Sequence, residues 1–265
     1  MLADDHAIVR EGYRSLLQKQ DRLEVVAEAD NGADAYRVYK EARPDLVIMD
    51  LSMPGIGGVE AIRRIRQWDK SARILVFTMH QSAAYAVQAI KAGARGFVTK
   101  SNPPEALLRA IAEVMAGRIA LSPDIDHELA INSLADEPSA IDALSPREFE
   151  ILRMLLAEKS VDEIANTLHI SVKTAANTRY QIRASLGVGS DIELVRLALR
   201  QRIIAAEDIG KLVWKKRAMR KSPRASDRSL QHSRQQNIRW EKHMPAILGS
   251  GEHRYRVVGE LGETA

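Results

Sequence analysis

The 265-residue sequence predicts a doubly wound α/β domain followed by a small all-helical domain and a basic tail. Three observations carry that prediction. Short Val- and Ile-rich runs alternate five times with amphipathic segments over residues 1–117, which calls for a parallel sheet covered on both faces. After residue 143 no strand pattern recurs, and four helix starts follow in 60 residues. From residue 205 the apolar periodicity stops, with 13 basic against 7 acidic side chains. That composition buries too little apolar surface to offset ordering entropy, so residues 205–265 are expected to be disordered.

The strands expected in the first region are residues 23–29 (LEVVAEA), 45–50 (DLVIMD), 73–79 (RILVFTM) and 96–100 (GFVTK), preceded by a very short one at MLA. Between them, apolar residues at three- and four-residue spacings predict helices over 6–20, 32–42, 57–68, 82–92 and 104–115. Residues 118–143 hold Pro123, Pro138 and 6 acids against a single Arg, and read as a linker with a helical turn or two near 125–134. In the next region SPRE, SVDE and SDIE place a Ser cap three residues before a Glu able to return a hydrogen bond. Ser171 supplies a fourth cap. Helices are therefore expected over 146–157, 161–168, 172–186 and 191–202. Their apolar residues are Phe149, Leu152, Leu155, Leu156, Ile164, Ala165, Leu168, Ile170, Ile182, Leu186, Leu194 and Leu197.

Composition removes several function classes. The chain has no cysteine, which excludes disulfide scaffolds and thiolate metal sites. No apolar run reaches the length needed to span a bilayer, and the acidic start is unlike a signal peptide, so a cytoplasmic protein is expected. The net charge of +4 comes mostly from the tail and says little about the folded part.

In an open parallel sheet, ligands bind beyond the carboxyl ends of the strands. Asp4 and Asp5 follow the first expected strand, Asp50 ends the third, Thr78 ends the fourth and Lys100 closes the fifth. Singly, each has an ordinary explanation as a loop cap, a strand residue or a solvated charge. Five such residues in order at one edge do not. Hard oxygen ligands in this number suit Mg²⁺, and the lysine suits a phosphate.

The stretches ADDH, VIMDLSMPGIGGVEAIRRI, VFTMH and GARGFVTK resemble a response-regulator receiver domain over nearly all of residues 1–117. The resemblance implies a flavodoxin-like fold with strand order 2-1-3-4-5 and a first strand cut short. It implies Asp50 as phospho-acceptor, and Asp5, Asp50 and the main-chain carbonyl of Ser52 as Mg²⁺ ligands with Asp4 beside them. Lys100 would contact the phosphoryl group, and Thr78 with Phe97 would form the switch pair. Such a protein accepts a phosphoryl group but is a regulator rather than a turnover enzyme.

The helix pair 161–168 and 172–186 has helix-turn-helix spacing, and the second helix carries Lys173, Arg179 and Arg183 with no acid. LSPREFEILRMLLAEKSVDEIANTLHISVKTAANTRYQIRASLGV with ELVRLAL resembles the NarL/FixJ (LuxR-type) DNA-binding domain over 144–204. By that resemblance 172–186 is the recognition helix. Lys173, Thr174, Arg179 and Arg183 would meet phosphates, and Ala176, Asn177 and Tyr180 would face base edges. Residues 191–202 would form a homodimer face on double-stranded DNA. The sequence departs from the family's usual residues at Ala175, Ala176 and Thr178, which leaves fewer charges on the recognition helix.

The expected function is a transcriptional response regulator of a two-component phosphorelay, phosphorylated by a sensor histidine kinase. The rival is a DNA-binding regulator indifferent to phosphorylation, whose receiver is structural or inactive. Three residues make a short first strand, so a natural start a few codons upstream is a further expectation.

Overall fold

The computed structural model describes residues 1–133 and 139–204. The expected tail, 205–265, lies outside the described residues. Strands β1 (Leu2–Ala3), β2 (Glu28–Ala29), β3 (Val47–Met49), β4 (Ile74–Thr78), β5 (Gly96–Thr99) and β6 (Ala120–Leu121) form one parallel sheet. Its order is β2-β1-β3-β4-β5-β6. Helices α1 (Ala7–Gln18), α2 (Gly32–Ala42), α3 (Gly58–Trp68), α4 (Ala83–Ala92) and α5 (Pro104–Met115) alternate with the strands. The expected order is therefore present, extended by one strand.

Two expectations change in extent. The second strand spans two residues rather than seven, because its partner is equally short: Leu2 pairs with Glu28 and Ala3 with Ala29. Residues 23–26 have the right composition for a strand, but the ladder reaches back only to Ala27, whose carbonyl accepts from Leu2 N at 3.0 Å. The expected linker also does more than connect. It supplies β6, which pairs Gly96 with Ala120 and Phe97 with Leu121, and helix α6 (Pro123–Ser133). Ile125 is fully buried there, and Asp124 accepts from the Thr99 hydroxyl at 2.7 Å, so both an apolar and a polar anchor hold α6 to β5.

The remaining helices are α7 (Ala140–Ala143), α8 (Pro146–Leu156), α9 (Val161–Leu168), α10 (Val172–Ser185) and α11 (Asp191–Arg200). The capping logic holds at their starts. Ser145 with Glu148 and Ser160 with Glu163 form complete capping boxes. At α11 Ser190 accepts from Glu193 N, but the Glu193 carboxylate reaches Gly189 N at 2.7 Å instead of the cap residue. Of the expected core, Phe149, Leu152, Leu156, Ile164, Ala165, Leu168, Ile182, Leu186 and Leu194 are buried, while Leu155, Ile170 and Leu197 are half-buried.

Helix α8 is buried nearly all round, including Glu150, Ile151 and Met154. One side faces the helical domain and the other packs on α3 and α4. Two buried carboxylates pin this contact. Glu60 of α3 is bound by Arg63 and Arg64 of its own helix and by Arg147 of α8 at 2.5 Å. Glu150 of α8 accepts from Gly57 N at 2.9 Å and pairs with Arg153 at 2.7 Å. Charges this deeply buried are tolerable only because each is paired and hydrogen-bonded.

Candidate functional site

The carboxyl edge of the sheet gathers the expected residues. Asp4 follows β1, Asp50 follows β3, Thr78 ends β4 and Lys100 follows β5. The ladder sets their heights: Asp50 N donates to Ala3 O at 2.8 Å, and Lys100 N to Thr78 O at 2.7 Å. Lys100 Nζ lies 2.5 Å from Asp4 Oδ2 and 2.9 Å from Asp50 Oδ2. Burial alone would lower the Lys100 ammonium, but the charge of Asp50 and the bonds to Asp4 and Asp50 outweigh it and raise its pKa. The other oxygen of Asp50 accepts from Leu51 N at 2.6 Å and Ser52 N at 3.3 Å.

Asp5 stands apart from this pairing. Its Oδ1 is buried without a hydrogen bond, although His6 Nδ1 is 2.8 Å away and would form an ion pair when protonated. Ligand atoms of Asp4, Asp5 and His6 lie within 4.8 Å of one another. A carboxylate oxygen lacking a donor, beside the Asp4 carboxylate, fits a hard divalent cation. Lys100 supplies only part of the compensating charge.

Helix α3 is pressed against this edge. A Cβ on Gly58 would lie 2.2 Å from the Asp50 carbonyl oxygen, so only glycine allows the helix to start so close to the acceptor loop. Thr78 is fully buried, and its hydroxyl accepts from His80 N at 3.4 Å. Phe97 is fully buried on β5, two residues before the Thr99 that pairs with Thr78, and so shares its face of the sheet.

The expected contacts of the helical domain differ in exposure and in partners. Lys173, Ala176, Asn177 and Tyr180 are exposed at helical spacing along one stripe of α10, while Ala175 and Ile182 point inward. Thr174 is exposed but bonds the Ser171 cap at 2.8 Å. Arg179 and Arg183 are turned toward α11. Arg179 Nη2 lies 3.2 and 3.1 Å from the two oxygens of Asp191, and Arg183 bonds the Gly189 carbonyl. Sequence reading found the basic residues but missed Asp191, which lies 12 residues after Arg179 and becomes its neighbour only when the helices pack. It also missed the exposed Val172 at the start of α10. Among the described residues no helix is long and apolar enough to cross a membrane.

Comparison with known proteins agrees with this geometry. Residues 1–112 match the response regulator receiver domain, and residues 142–198 match the luxR family of bacterial regulatory proteins. The response regulator GacA of Pseudomonas aeruginosa is 36% identical over 208 residues, covering 78% of this chain and 97% of that protein. UvrY of Escherichia coli K12 is 35% identical over 211 residues, covering 79% and 97%. Among solved structures, a LuxR-family response regulator from Aurantimonas is 56% identical, with TM-score 0.50, over 51% of this chain and 96% of that one. RcsB of Salmonella enterica, bound to the rprA promoter with phosphomimetic BeF3⁻, is 29% identical with TM-score 0.61, over 74% and 95%. Receiver, helix-turn-helix and matching relatives lead to one conclusion: this chain belongs to the two-component response regulators that join a receiver to a LuxR-type DNA-binding domain, and it is a regulator rather than an enzyme.

Proposed function

We propose that a sensor histidine kinase phosphorylates Asp50, and that the phosphorylated chain pairs with a second copy on double-stranded DNA in the cytoplasm. The observation that carries this reading is Lys100 Nζ held between Asp4 and Asp50 with an undonated Asp5 oxygen beside them. In the transfer an Asp50 carboxylate oxygen forms the new O–P bond. The P–N bond of the donor phosphohistidine breaks, and the leaving imidazole takes the electron pair. Such transfer needs mainly positioning and charge neutralisation. Lys100 supplies a cation able to follow the phosphoryl group, and Leu51 N with Ser52 N orient the acceptor. Mg²⁺ would be held by Asp5, Asp50 and the Ser52 carbonyl, with Asp4 beside it, and would neutralise charge on the phosphoryl oxygens. Thr78 and Phe97 form the switch pair on the sheet face covered by α3 and α4.

The functional limits follow the sequence reading: receiver 1–117, connecting segment 118–143, DNA-binding domain 144–204. In the last, Lys173, Thr174, Arg179 and Arg183 serve phosphates, and Ala176, Asn177 and Tyr180 serve bases. The segment 191–202 pairs the two copies. RcsB bound to promoter DNA in its phosphomimetic state supports the DNA target and its link to phosphorylation.

Labelling with acetyl phosphate tests the acceptor. Wild-type protein should take up label only with Mg²⁺, and Asp50→Asn should take up none while keeping its thermal transition. Equal labelling of Asp50→Asn would assign the acceptor elsewhere. An unlabelled wild-type chain would favour the regulator indifferent to phosphorylation.

A further inference from the structure

A series of contacts leads from the acceptor edge to the turn after α11, and it runs through two side chains outside the switch pair. Ser52, whose N–H reaches Asp50 Oδ1 at 3.3 Å, places its hydroxyl 2.8 Å from His80 Nε2. The main-chain N–H of His80 donates to the Thr78 hydroxyl at 3.4 Å. His80 is thereby tethered to both loops that border Asp50. Its ring stacks on Tyr85, with centroids 3.8 Å apart and planes 13° from parallel. Tyr85 is buried and meets Phe149 of α8 edge-on at 5.1 Å. Its hydroxyl donates to Ile203 O at 3.2 Å. Ser82, three residues earlier, donates to Gln201 O at 2.9 Å. Both acceptors lie just beyond α11, Gln201 within and Ile203 just past the segment 191–202 assigned above to pairing the two copies.

We propose that His80 and Tyr85 are positioning residues that carry the phosphorylation state of Asp50 to the end of α11. The inference rests on Asp50 being the acceptor. A phosphoryl group adds about −1.5 to −2 charge and three strong acceptor oxygens. The hydroxyls of Ser52 and Thr78, on the two loops that border Asp50, can donate to those oxygens alongside Leu51 N and Ser52 N. Each now serves His80, Ser52 through the ring and Thr78 through the backbone. Turning either hydroxyl toward the phosphoryl group weakens one tether, and turning both unties His80 from the two loops that border Asp50. The stacked pair of His80 and Tyr85 is then no longer fixed to the acceptor loops, and the bond from Tyr85 to Ile203 loses that anchor. What is released is not the exposed stripe of α10 but the orientation of α11. The docked state therefore restrains pairing while leaving base-reading side chains in solvent. Phe97 is also buried on this face, but it has no polar atom with which to hold the helical domain.

The test uses the full chain and a duplex enriched by wild-type protein from a random-sequence pool. Tyr85→Phe keeps the ring and removes the hydroxyl that bonds Ile203 O. Its unphosphorylated form should bind about threefold to tenfold tighter than wild type, with the beryllofluoride form unchanged. Ser82→Ala should act in the same direction through Gln201. His80→Ala should still accept label from acetyl phosphate, yet lose most of the affinity ratio between labelled and unlabelled protein. Unchanged affinity of unphosphorylated Tyr85→Phe, or weakened binding in both of its forms, would overturn the role of Tyr85. A full wild-type ratio in labelled His80→Ala would overturn the role of His80. Failure of the wild-type chain to take up label would instead remove the acceptor assignment and the signal with it.

Discussion

Strand β1 runs between two buried ammonium groups that meet opposite fates. Beyond its carboxyl end Lys100 lies against Asp4 and Asp50, and the carboxylates raise its pKa against the effect of burial. At its amino end the Met1 ammonium donates to Leu46 O at 3.0 Å, with Asp45 only a more distant attraction. There burial dominates and the pKa falls from 8.0 to about 6. The same physical terms act at both ends, and what differs is the number of carboxylates within reach. Burial of an ammonium is offset where carboxylates lie against it and is a stability cost where they do not.

Removing Lys100 should break the comparison most severely. Lys100→Met leaves Asp4 and Asp50 buried, close and without their cation. Loss of one partner from a buried pair costs roughly 3–5 kcal/mol. Denaturant unfolding in Mg²⁺-free buffer should show a loss of that order, and added Mg²⁺ should recover part of it through binding to the folded state alone. A loss below about 1 kcal/mol would mean that the carboxylates find water or protons as readily as they find lysine.

The amino end gives the next largest effect, and its sign is definite. The folded-state pKa of the Met1 ammonium, about 6, lies below the unfolded value of 8.0. Between these the unfolded chain binds more protons, so stability rises as pH goes from about 6 to about 8. The penalty is fully present below that window and absent above it, and spans at most about 2–3 kcal/mol. Adding Ile-Arg-Val-Leu before Met1 should abolish this dependence by moving the charge away. It should also fill a cleft of about 480 Å³ lined by Leu17, Leu23, Val25, Leu46 and Ile111. The melting temperature should rise by several degrees. An extension that leaves both the slope and the transition unchanged would show that neither this charge nor this cleft limits stability.

These two ends also divide what the sequence disclosed from what it withheld. Asp4, Asp5, Asp50, Thr78 and Lys100 were legible because strand ends are marked by a change from apolar to polar residues, and one edge rule places them together. The Ser caps were legible because capping is local. Glu60 and Glu150 were not. Each sits on an amphipathic helix where a carboxylate belongs in solvent, and each is buried only because α8 docks on α3 and α4. His80 and Tyr85 escaped notice for the same reason, since Ile203 is 118 residues from Tyr85. The shortened β2 escaped because composition describes a strand without describing its partner. Pairings across the domain contact were invisible; residues whose role follows from their own element were not.

On the surface the consequences of single changes should be smaller and more separable. Asn177 is exposed on α10 in the stripe with Lys173, Ala176 and Tyr180. An Asn side chain can bond both N6 and N7 of adenine. Asn177→Ala should cost roughly 1–3 kcal/mol at one base position and leave stability unchanged. Selection from a random pool would show relaxed preference at that position, and an unchanged preference would remove Asn177 from the base-reading set.

The smallest effect sharpens the contrast between buried and exposed cations. Arg179 is held by both oxygens of Asp191, and Arg183 Nη1 lies 3.8 Å from the same carboxylate. Unlike Lys100, these groups reach solvent, with side-chain exposures of 38% and 28% against 66% for Asp191. Exposed pairs contribute about 0–1 kcal/mol, so Asp191→Asn should barely move the thermal transition. Arg183 keeps its bond to Gly189 O in any case. The change should appear in DNA binding instead, because the carboxylate no longer competes with DNA phosphates for the two guanidinium groups. The slope of log affinity against log salt should steepen by about 1, with a severalfold gain in non-specific affinity at low salt. Base preference should be unaltered, since the Asp191 carboxylate engages the two guanidinium groups and Asn177 keeps its exposed place on α10. An unchanged slope would place Arg179 and Arg183 away from the phosphates. A shallower slope would make Asp191 the residue that positions Arg179 for a phosphate rather than one that withholds it.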